Sequence, residues 1–484
     1  MSAVRPTAVL GLDLGTTEIK AGIVDLDGRL LALTRSPYDL EIGAADGRAE
    51  QDPGAWWSAV VGAVRALRAA DVADIVAIGA DGHGPTLVAT DARGEATRPA
   101  ITFLDTRSTA EAEALTAATG VRGWSLGGLP AALWVERHEP AIAAATCWYL
   151  STWSWLAFRL TGVPTAPLVP DEVVPELASV ASVGVPLDRL PPRTATGDVV
   201  GTLTEAAGEA LGLRAGIRVV GGTVDAFASY LGAGLLEPGD AYDPGGAAGG
   251  FGVYWDRPVE VAGGFVTPGP LAGRWSVGAA MAATGRALDW YRSDILGGTL
   301  AIEALLAEAE ATPPGADGLV FLPYLAGERS PIWDPDARGV LAGLTLAHAR
   351  GHVARAIVEA SALAIRHVAA PMLAAGVRVT EMRVCGGPAR SRFWNKVKAD
   401  VTGFRVAVPA VLETAVLGSG ILAATGVGAY PDVPSAIRAM TIVTERIEPN
   451  PANAAVYDRL FAAYTGLYPA TAPVLRPLAA EPAA

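Results

Sequence analysis

Ala8-Val9-Leu10-Gly11-Leu12-Asp13-Leu14-Gly15-Thr16-Thr17-Glu18-Ile19-Lys20-Ala21-Gly22-Ile23-Val24-Asp25 is the stretch on which the fold turns. Ala8–Leu14 is an apolar run of strand length, Gly15-Thr16-Thr17 is a turn, and Ile19–Leu26 is a second apolar strand. Asp27-Gly28 is a hairpin signal, and Leu30–Thr34 follows as a third strand. The same order returns half a chain later. Ala241–Pro244 leads into the small-residue run Gly245–Gly250, then the apolar run Phe251–Trp255, then Asp256. Two strand–turn–strand units of this kind are the trace a duplicated fold leaves.

Between and after these units the pattern alternates. Trp56–Ala70 has apolar residues at helical spacing, and Ile75–Gly79 and Thr86–Thr90 read as strands. Helical segments follow near Thr109–Ala118, Pro140–Ala145 and Ser151–Leu160. Ile217–Gly221 is a strand that runs through a glycine turn into a helix at Asp225–Leu231. Ala347–Ala370 is a long helix pattern, Val379–Cys385 a strand, and Arg392–Val401 and Glu413–Ala424 are helices. This is an α/β chain. The turn-rich Glu237-Pro238-Gly239 predicts two domains, 1–238 and 239–484. The tail after Pro469 is Ala/Pro-rich and reads as frayed.

Composition narrows the function. The chain has 484 residues, 51% apolar and 18% charged, with Lys+Arg 37 against Asp+Glu 50 and a net charge of −13. An acidic total argues against broad binding to nucleic acid or anionic lipid, though not against a small phosphate site built from backbone N–H groups. Cys147 and Cys385 are too far apart in the chain to suggest a disulfide framework or zinc motif. Residues 1–14 meet charge too soon for a signal peptide, and the most apolar stretch, Val219–Leu236, is broken by Asp225 and glycines. The expectation is a cytoplasmic protein without a membrane span.

Standard phosphate loops are missing: the sequence contains no Gly-Lys pair for a Walker A loop and no G-x-G-x-x-G. Gly123-Trp124-Ser125-Leu126-Gly127 matches a nucleophile elbow, but no apolar strand precedes it, so it reads as a loop. His348 and His352 share a helix face without a third ligand and read as a solvated first turn. Asp13 is more informative, because it interrupts an apolar strand just before a turn rich in N–H and hydroxyl groups. It is either a hairpin cap or a carboxylate that organises a hydrated Mg²⁺ and phosphate. Asp225 is either an N-cap or a cleft carboxylate that accepts a proton from a substrate hydroxyl. An ordinary Asp is already ionised at pH 7. Gly386-Gly387 could let a flat ligand lie on the backbone or simply make a turn. His83, between Gly82 and Gly84, could reach a ligand hydroxyl or cap a turn.

Taken in order, several blocks resemble the FGGY family of carbohydrate kinases, and within it the xylulokinase-like members. They are Gly11–Thr17, Glu50–Pro53 with Trp56-Trp57, Asp105-Thr106-Arg107, Val219–Asp225, Pro323–Pro331 with Asp334–Gly339, Gly386–Trp394 and Glu413–Ala424. The resemblance implies two duplicated actin/hexokinase/Hsp70-like (ribonuclease H-like) α/β ATPase domains flanking a central cleft. The N-terminal one would bind sugar and carry the catalytic Asp, and the C-terminal one would bind nucleotide. It implies transfer of the ATP γ-phosphate, with Mg²⁺, to a hydroxyl of a ketopentose (xylulose-like) or related sugar or polyol. By motif match, Asp225 would be the general base and a metal neighbour, and Asp13 would hold Mg²⁺ through water. Gly15, Thr16 and Thr17 would form the first phosphate loop and Gly245, Gly246 and Ala247 the second. Gly285, Gly387 and Ser391 would lie near the nucleotide, and Gly82, His83 and Asp105 near the sugar. A homodimer is the family-level expectation.

Three positions depart from the family pattern. Ala247 stands where a Thr is usual, Ala226 where xylulokinases have Asn, and Asp81-Gly82 where they have Gln-Met. The last two count against D-xylulose as substrate, and Ala247 raises the alternative of a catalytically weak sugar- or nucleotide-binding regulator. The reading also requires Asp13 and Asp225 to face one another across a gap between two lobes.

Overall fold

The computed structural model describes residues 5–43 and 46–479. The chain divides into two compact units, each with its own principal sheet. The first unit comprises Met1–Leu236, Pro268–Gly273 and Glu413–Ile442, and the second Glu237–Thr267, Arg274–Leu412 and Val443–Ala484.

In the first unit β1 (Thr7–Leu14), β2 (Glu18–Asp25) and β3 (Leu30–Pro37) form an antiparallel meander. Helix α1 (Pro53–Ala66) follows, started by Asp52, whose carboxylate accepts the Gly54 N–H at 2.8 Å, and by proline at its first position. Its Trp56, Val60 and Val64 pack with Leu10, Leu12 and Ile23 in one core. Next, β4 (Asp74–Gly82) lies parallel to β1; beyond it β5 (Val199–Thr202) and β6 (Arg218–Val220) complete the order β5-β6-β4-β1-β2-β3. β1 is buried on both faces after its first residue, which is why it reads as a continuous apolar run rather than an alternating one. Helix α2 (Asp225–Ala233) starts after the glycine turn that follows β6.

The second unit repeats this plan. Its strands are β7 (Asp240–Asp243), β8 (Gly250–Trp255), β9 (Phe265–Pro268), β10 (Trp275–Ala280), β11 (Glu381–Val384), β12 (Val406–Pro409) and β13 (Val443–Ile447), in the order β9-β10-β8-β7-β11-β12-β13. β7 pairs antiparallel with β8 and parallel with β11, as β1 does with β2 and β4. The restart seen at residue 241 is therefore a repeat of topology. Helix α3 (Arg350–Ala374) runs through the core of this unit. By length and composition it could cross a membrane, but most of its apolar window is buried here, around an internal Arg355–Glu359 pair at 2.8 Å. The stretch the sequence marks as most apolar, Val219–Leu236, is instead the end of β6, the glycine turn and α2. Helix α4 (Arg392–Thr402) follows β11.

A single boundary at residue 238 does not describe these units. Helix α5 (Thr414–Gly426), which the sequence division leaves in the second half, packs on α2 and on β1 of the first unit. Glycine makes this possible. A Cβ on Gly418 would collide with the Ala228 carbonyl, one on Gly232 with the Thr414 carbonyl, and one on Gly11 with the Val416 carbonyl. Backbones therefore touch where side chains would otherwise hold them apart. The C-terminal segment is also more ordered than its Ala/Pro content suggests. Helix Ala454–Ala479 continues past Pro469, and Arg476 reaches Asp334 at 2.8 Å. Ser125 lies in the short turn Gly123–Leu126 with no strand before it.

Candidate active site

The first unit gathers its acidic residues by strand register. Asp13 on β1 pairs with Lys20 on β2 and with Asp81 on β4, so the three side chains form one row across the sheet. Lys20 Nζ stands 3.2 Å from Asp13 Oδ2 and 3.6 Å from Glu413 Oε2. Burial lowers the Lys20 pKa, but Asp13 and Glu413 outweigh it and the net shift is upward. Asp81 is fully buried; its Oδ2 accepts a hydrogen bond from Ser419 Oγ at 2.6 Å, and its carboxyl also shares a hydrogen bond with Asp13. Burial, then the charge on Asp13, pushes the Asp81 carboxyl well above the usual carboxylate range, against the pull of Ser419.

Asp225 is the first residue of α2. A bridge from Gly82 to Val224 ties it to the end of β4. Its Oδ1 accepts the Ala226 N–H at 2.7 Å. Burial first, and the Asp13 charge second, push its carboxyl up to about 7; the Ala226 N–H and Lys20 oppose this. Asp225 is therefore held above the ordinary aspartate range, contrary to the sequence expectation. Nor do Asp13 and Asp225 belong to different lobes. Both lie in the first unit, and the Asp13 charge acts on Asp225 there.

The turn Gly15-Thr16-Thr17 is held from behind. The Tyr38 hydroxyl donates to the Gly15 carbonyl, Gln51 Nε2 donates to the Thr16 carbonyl at 2.7 Å, and the Tyr38 N–H donates to the Thr17 carbonyl at 3.0 Å. Gly82 cannot carry a side chain, because a Cβ would strike Thr152 Oγ1. His83 is fully buried, edge-on to Trp56 with ring centroids 5.3 Å apart. Its Nδ1 is 3.0 Å from Thr86 Oγ1, and its Nε2 has no hydrogen-bond partner. Burial pushes its pKa down to about 4, so the ring is neutral at pH 7. Asp105 is engaged inside the protein instead. Its carboxylate accepts the Ala49 N–H at 2.9 Å and Arg107 Nε at 3.0 Å, and these partners hold its pKa low although burial alone would raise it.

In the second unit, Asp243 is the last residue of β7, as Asp13 is the last but one of β1. Its Oδ1 accepts the Gly245 N–H at 2.9 Å, and its Oδ2 is ion-paired with Lys398 of α4. The loop from Gly245 is packed between two glycine turns. A Cβ on Gly285 would collide with the Gly246 carbonyl, and one on Gly245, at φ +57°, with the Cys385 carbonyl. The Arg286 N–H donates to the Ala247 carbonyl at 3.0 Å. Gly245, Gly246 and Gly285 line one hollow, together with Pro388, Trp394 and Lys398. Gly387 borders open space, and Ser391 caps α4 by accepting the Trp394 N–H at 3.2 Å. Ala247 is exposed.

The N-terminal domain model of the FGGY family of carbohydrate kinases matches residues 8–169, and the C-terminal domain model matches 251–427. The chain is 30% identical to the xylulose kinase of Escherichia coli (strain K12) over 81% of this chain and 84% of that one. The chain belongs to the FGGY family of carbohydrate kinases. This FGGY kinase is also 29% identical to the xylulose kinase of Bacillus subtilis (strain 168), over 95% of this chain and 96% of that protein. The crystal structure of xylulose kinase from Rhodospirillum rubrum superposes with a TM-score of 0.80 at 32% identity, covering 97% of this chain and 99% of that one. The FGGY kinase is thus an ATP-dependent sugar kinase with the actin/hexokinase-like fold.

Sequence reasoning passed over Lys20, Tyr38, Ser419, Asp243 and Lys398. Two of them left a signal. Asp243-Pro244-Gly245 repeats the Asp-x-Gly of Asp13-Leu14-Gly15. Lys398 falls on the same helical face as Trp394, Val397 and Val401, so it is a charge on a buried stripe. Ser419 left none, because its partner Asp81 lies 338 residues away in sequence.

Proposed function

We propose that this kinase phosphorylates a hydroxyl of a ketopentose or a related polyol, with Asp225 as general base. The observation that carries the reading is geometric: Asp225 opens α2 at the Gly82–Val224 bridge, which sets it at the end of the strand paired with the one that carries Asp13; the upward push on its carboxyl supports it. A base so placed takes a proton from a sugar hydroxyl as the hydroxyl attacks the γ-phosphate of ATP. The unpartnered Nε2 of neutral His83 supports a hydrogen bond to a sugar hydroxyl. The loop N–H groups around Gly245 and Gly285 suit phosphate oxygens, which need donors rather than net charge.

Mg²⁺ fits the donor set in one manner. No cluster of three His, Cys, Asp or Glu among the described residues could cage a metal. Mg²⁺ instead keeps most of its waters and takes one or two carboxylates together with phosphate oxygens. Asp13, through water, and Asp225 would hold it, and the upward push of Asp13 on Asp225 is the repulsion that a divalent cation relieves. Bound there, it would neutralise charge on the phosphates.

The test is ADP release over a panel of ketoses and alditols. Sugar-dependent release that disappears in Asp225→Ala with an unchanged melting curve supports the reading, and retention of most activity removes Asp225 from the role. Ala247 keeps a second reading in view, a weakly active binding regulator. Stoichiometric sugar binding with no ADP release from any sugar would favour it.

A further inference from the structure

Lys398 is a charged side chain in an apolar setting. It is 2% exposed, between Val397 and Ala399 on the buried face of α4, and it lines the hollow formed by Gly245, Gly246 and Gly285. Its partner Asp243 is 3% exposed and spends its other oxygen on the Gly245 N–H, at the root of the same loop. An aspartate there poses an electrical problem. A loop that takes phosphate oxygens on its N–H groups has a fixed carboxylate at its base, in a setting where water screens little. Placing one anion beside another costs binding unless a cation cancels the first.

We propose that Lys398 is a positioning residue for the nucleotide: it neutralises Asp243, so that the Asp243 carboxylate can brace the Gly245 turn without repelling the polyphosphate of a nucleoside triphosphate. This rests on the reading of the Gly245–Ala247 loop and Gly285 as the nucleotide site. Lys398 itself stays on Asp243 and is not the phosphate ligand. The pair supplies the loop with a rigid anchor at no net charge.

The sign of the charge change separates this role from a purely structural one. Lys398→Met leaves the Asp243 carboxylate unbalanced, and Asp243→Asn leaves the Lys398 ammonium unbalanced while keeping an acceptor for the Gly245 N–H. Equilibrium binding of adenosine, AMP, ADP and ATP is measured by calorimetry on the full-length wild type, both single variants and the double variant, with thermal melts as the fold check. Lys398→Met should weaken ADP about tenfold and ATP more, with adenosine nearly unchanged. Asp243→Asn should bind ATP at least as tightly as the wild type, and the double variant should return to within a few-fold of it. A folded Lys398→Met that binds ADP within twofold of wild type overturns the proposal. So does Asp243→Asn weakening all four ligands alike, the mark of a structural pair. Should Lys398→Met fail to fold, Asp243→Asn and the double variant decide by the same criteria. Wild type that binds no ADP sinks the nucleotide reading, and this proposal with it; wild type that binds ADP beside variants with unchanged charge dependence sinks this proposal alone.

Discussion

Asp81 stands directly beside Asp13 in the parallel register of β1 and β4, and the charge on Asp13 helps push the Asp81 carboxyl well above its usual range. Strand pairing thus sets two carboxylates next to each other inside a sheet, with Lys20 on the far side of Asp13. Asp81→Asn keeps an acceptor for Ser419 and removes the repulsion. An acid whose folded pKa is raised opposes its own ionisation in the folded state, so it subtracts stability as pH rises through the ordinary carboxylate range and beyond. The variant should therefore melt above the wild type by a margin that grows from pH 4 to pH 8. Equal or lower melting of the variant at pH 8 would contradict the burial argument.

Asp225→Asn should lower sugar-dependent kcat by about a thousandfold or more, the scale expected when an acid–base group is removed. In the wild type, kcat/KM for the sugar should fall on the acid side, because the base must be ionised to act, and Mg²⁺, by relieving the repulsion from Asp13, should move that limb to lower pH than the metal-free carboxyl would give. A profile flat down to pH 5 would show that no carboxyl held above its ordinary range limits the reaction.

His83→Ala should raise KM for the sugar about tenfold while leaving KM for ATP unchanged, and His83→Asn should recover part of the loss. Because burial pushes its pKa down to about 4, the His83 ring should show no titration between pH 5.5 and 8 by nuclear magnetic resonance. A midpoint near 6.5 would mean that the ring is solvated.

Ala247→Thr adds a hydroxyl to an exposed loop position whose backbone carbonyl is already held by Arg286. KM for ATP should fall several-fold, with KM for the sugar unchanged, as read by initial rates over ATP concentration. No change in KM for ATP would show that the N–H groups suffice.

Gly418→Val forces a branched side chain against the Ala228 carbonyl. Overpacking of this kind costs about 1–3 kcal/mol. The melting temperature should drop by several degrees, and sugar-dependent activity should fall as well, since α2 carries Asp225. Unchanged melting would mean that α5 does not bear on α2.

Much of this was legible in the chain because its signals are local. The strand–turn–strand at Ala8–Asp25 and its repeat at residue 241 are read from contiguous residues, and they anchor the two sheets. Asp13 and Asp225 announce themselves as charges at the ends of apolar strands and glycine turns. What escaped depends on pairing between distant residues. The place of α5 is set by glycines that touch carbonyls some two hundred residues or more away in sequence, and no periodicity within Glu413–Ala424 encodes that. Burial first and the Asp13 charge second push the Asp225 carboxyl up, and both are products of tertiary structure. Asp105 illustrates the reverse case. Its motif with Arg107 is plain in the sequence, yet the two side chains spend their hydrogen bonds largely on each other.

The return of residues 413–442 to the first unit has a consequence for synthesis of the chain. A ribosome that has finished residue 236 must add about two hundred more before α5 emerges, which takes on the order of 10–40 s at bacterial-to-eukaryotic elongation rates. Through that interval the glycine-lined surfaces of β1 and α2 lack their permanent cover. Expression hosts with slow translation or scarce chaperones should lose more of this protein to inclusion bodies, and a gene split at residue 238 should yield an N-terminal product that stays insoluble until the remaining half is made alongside it.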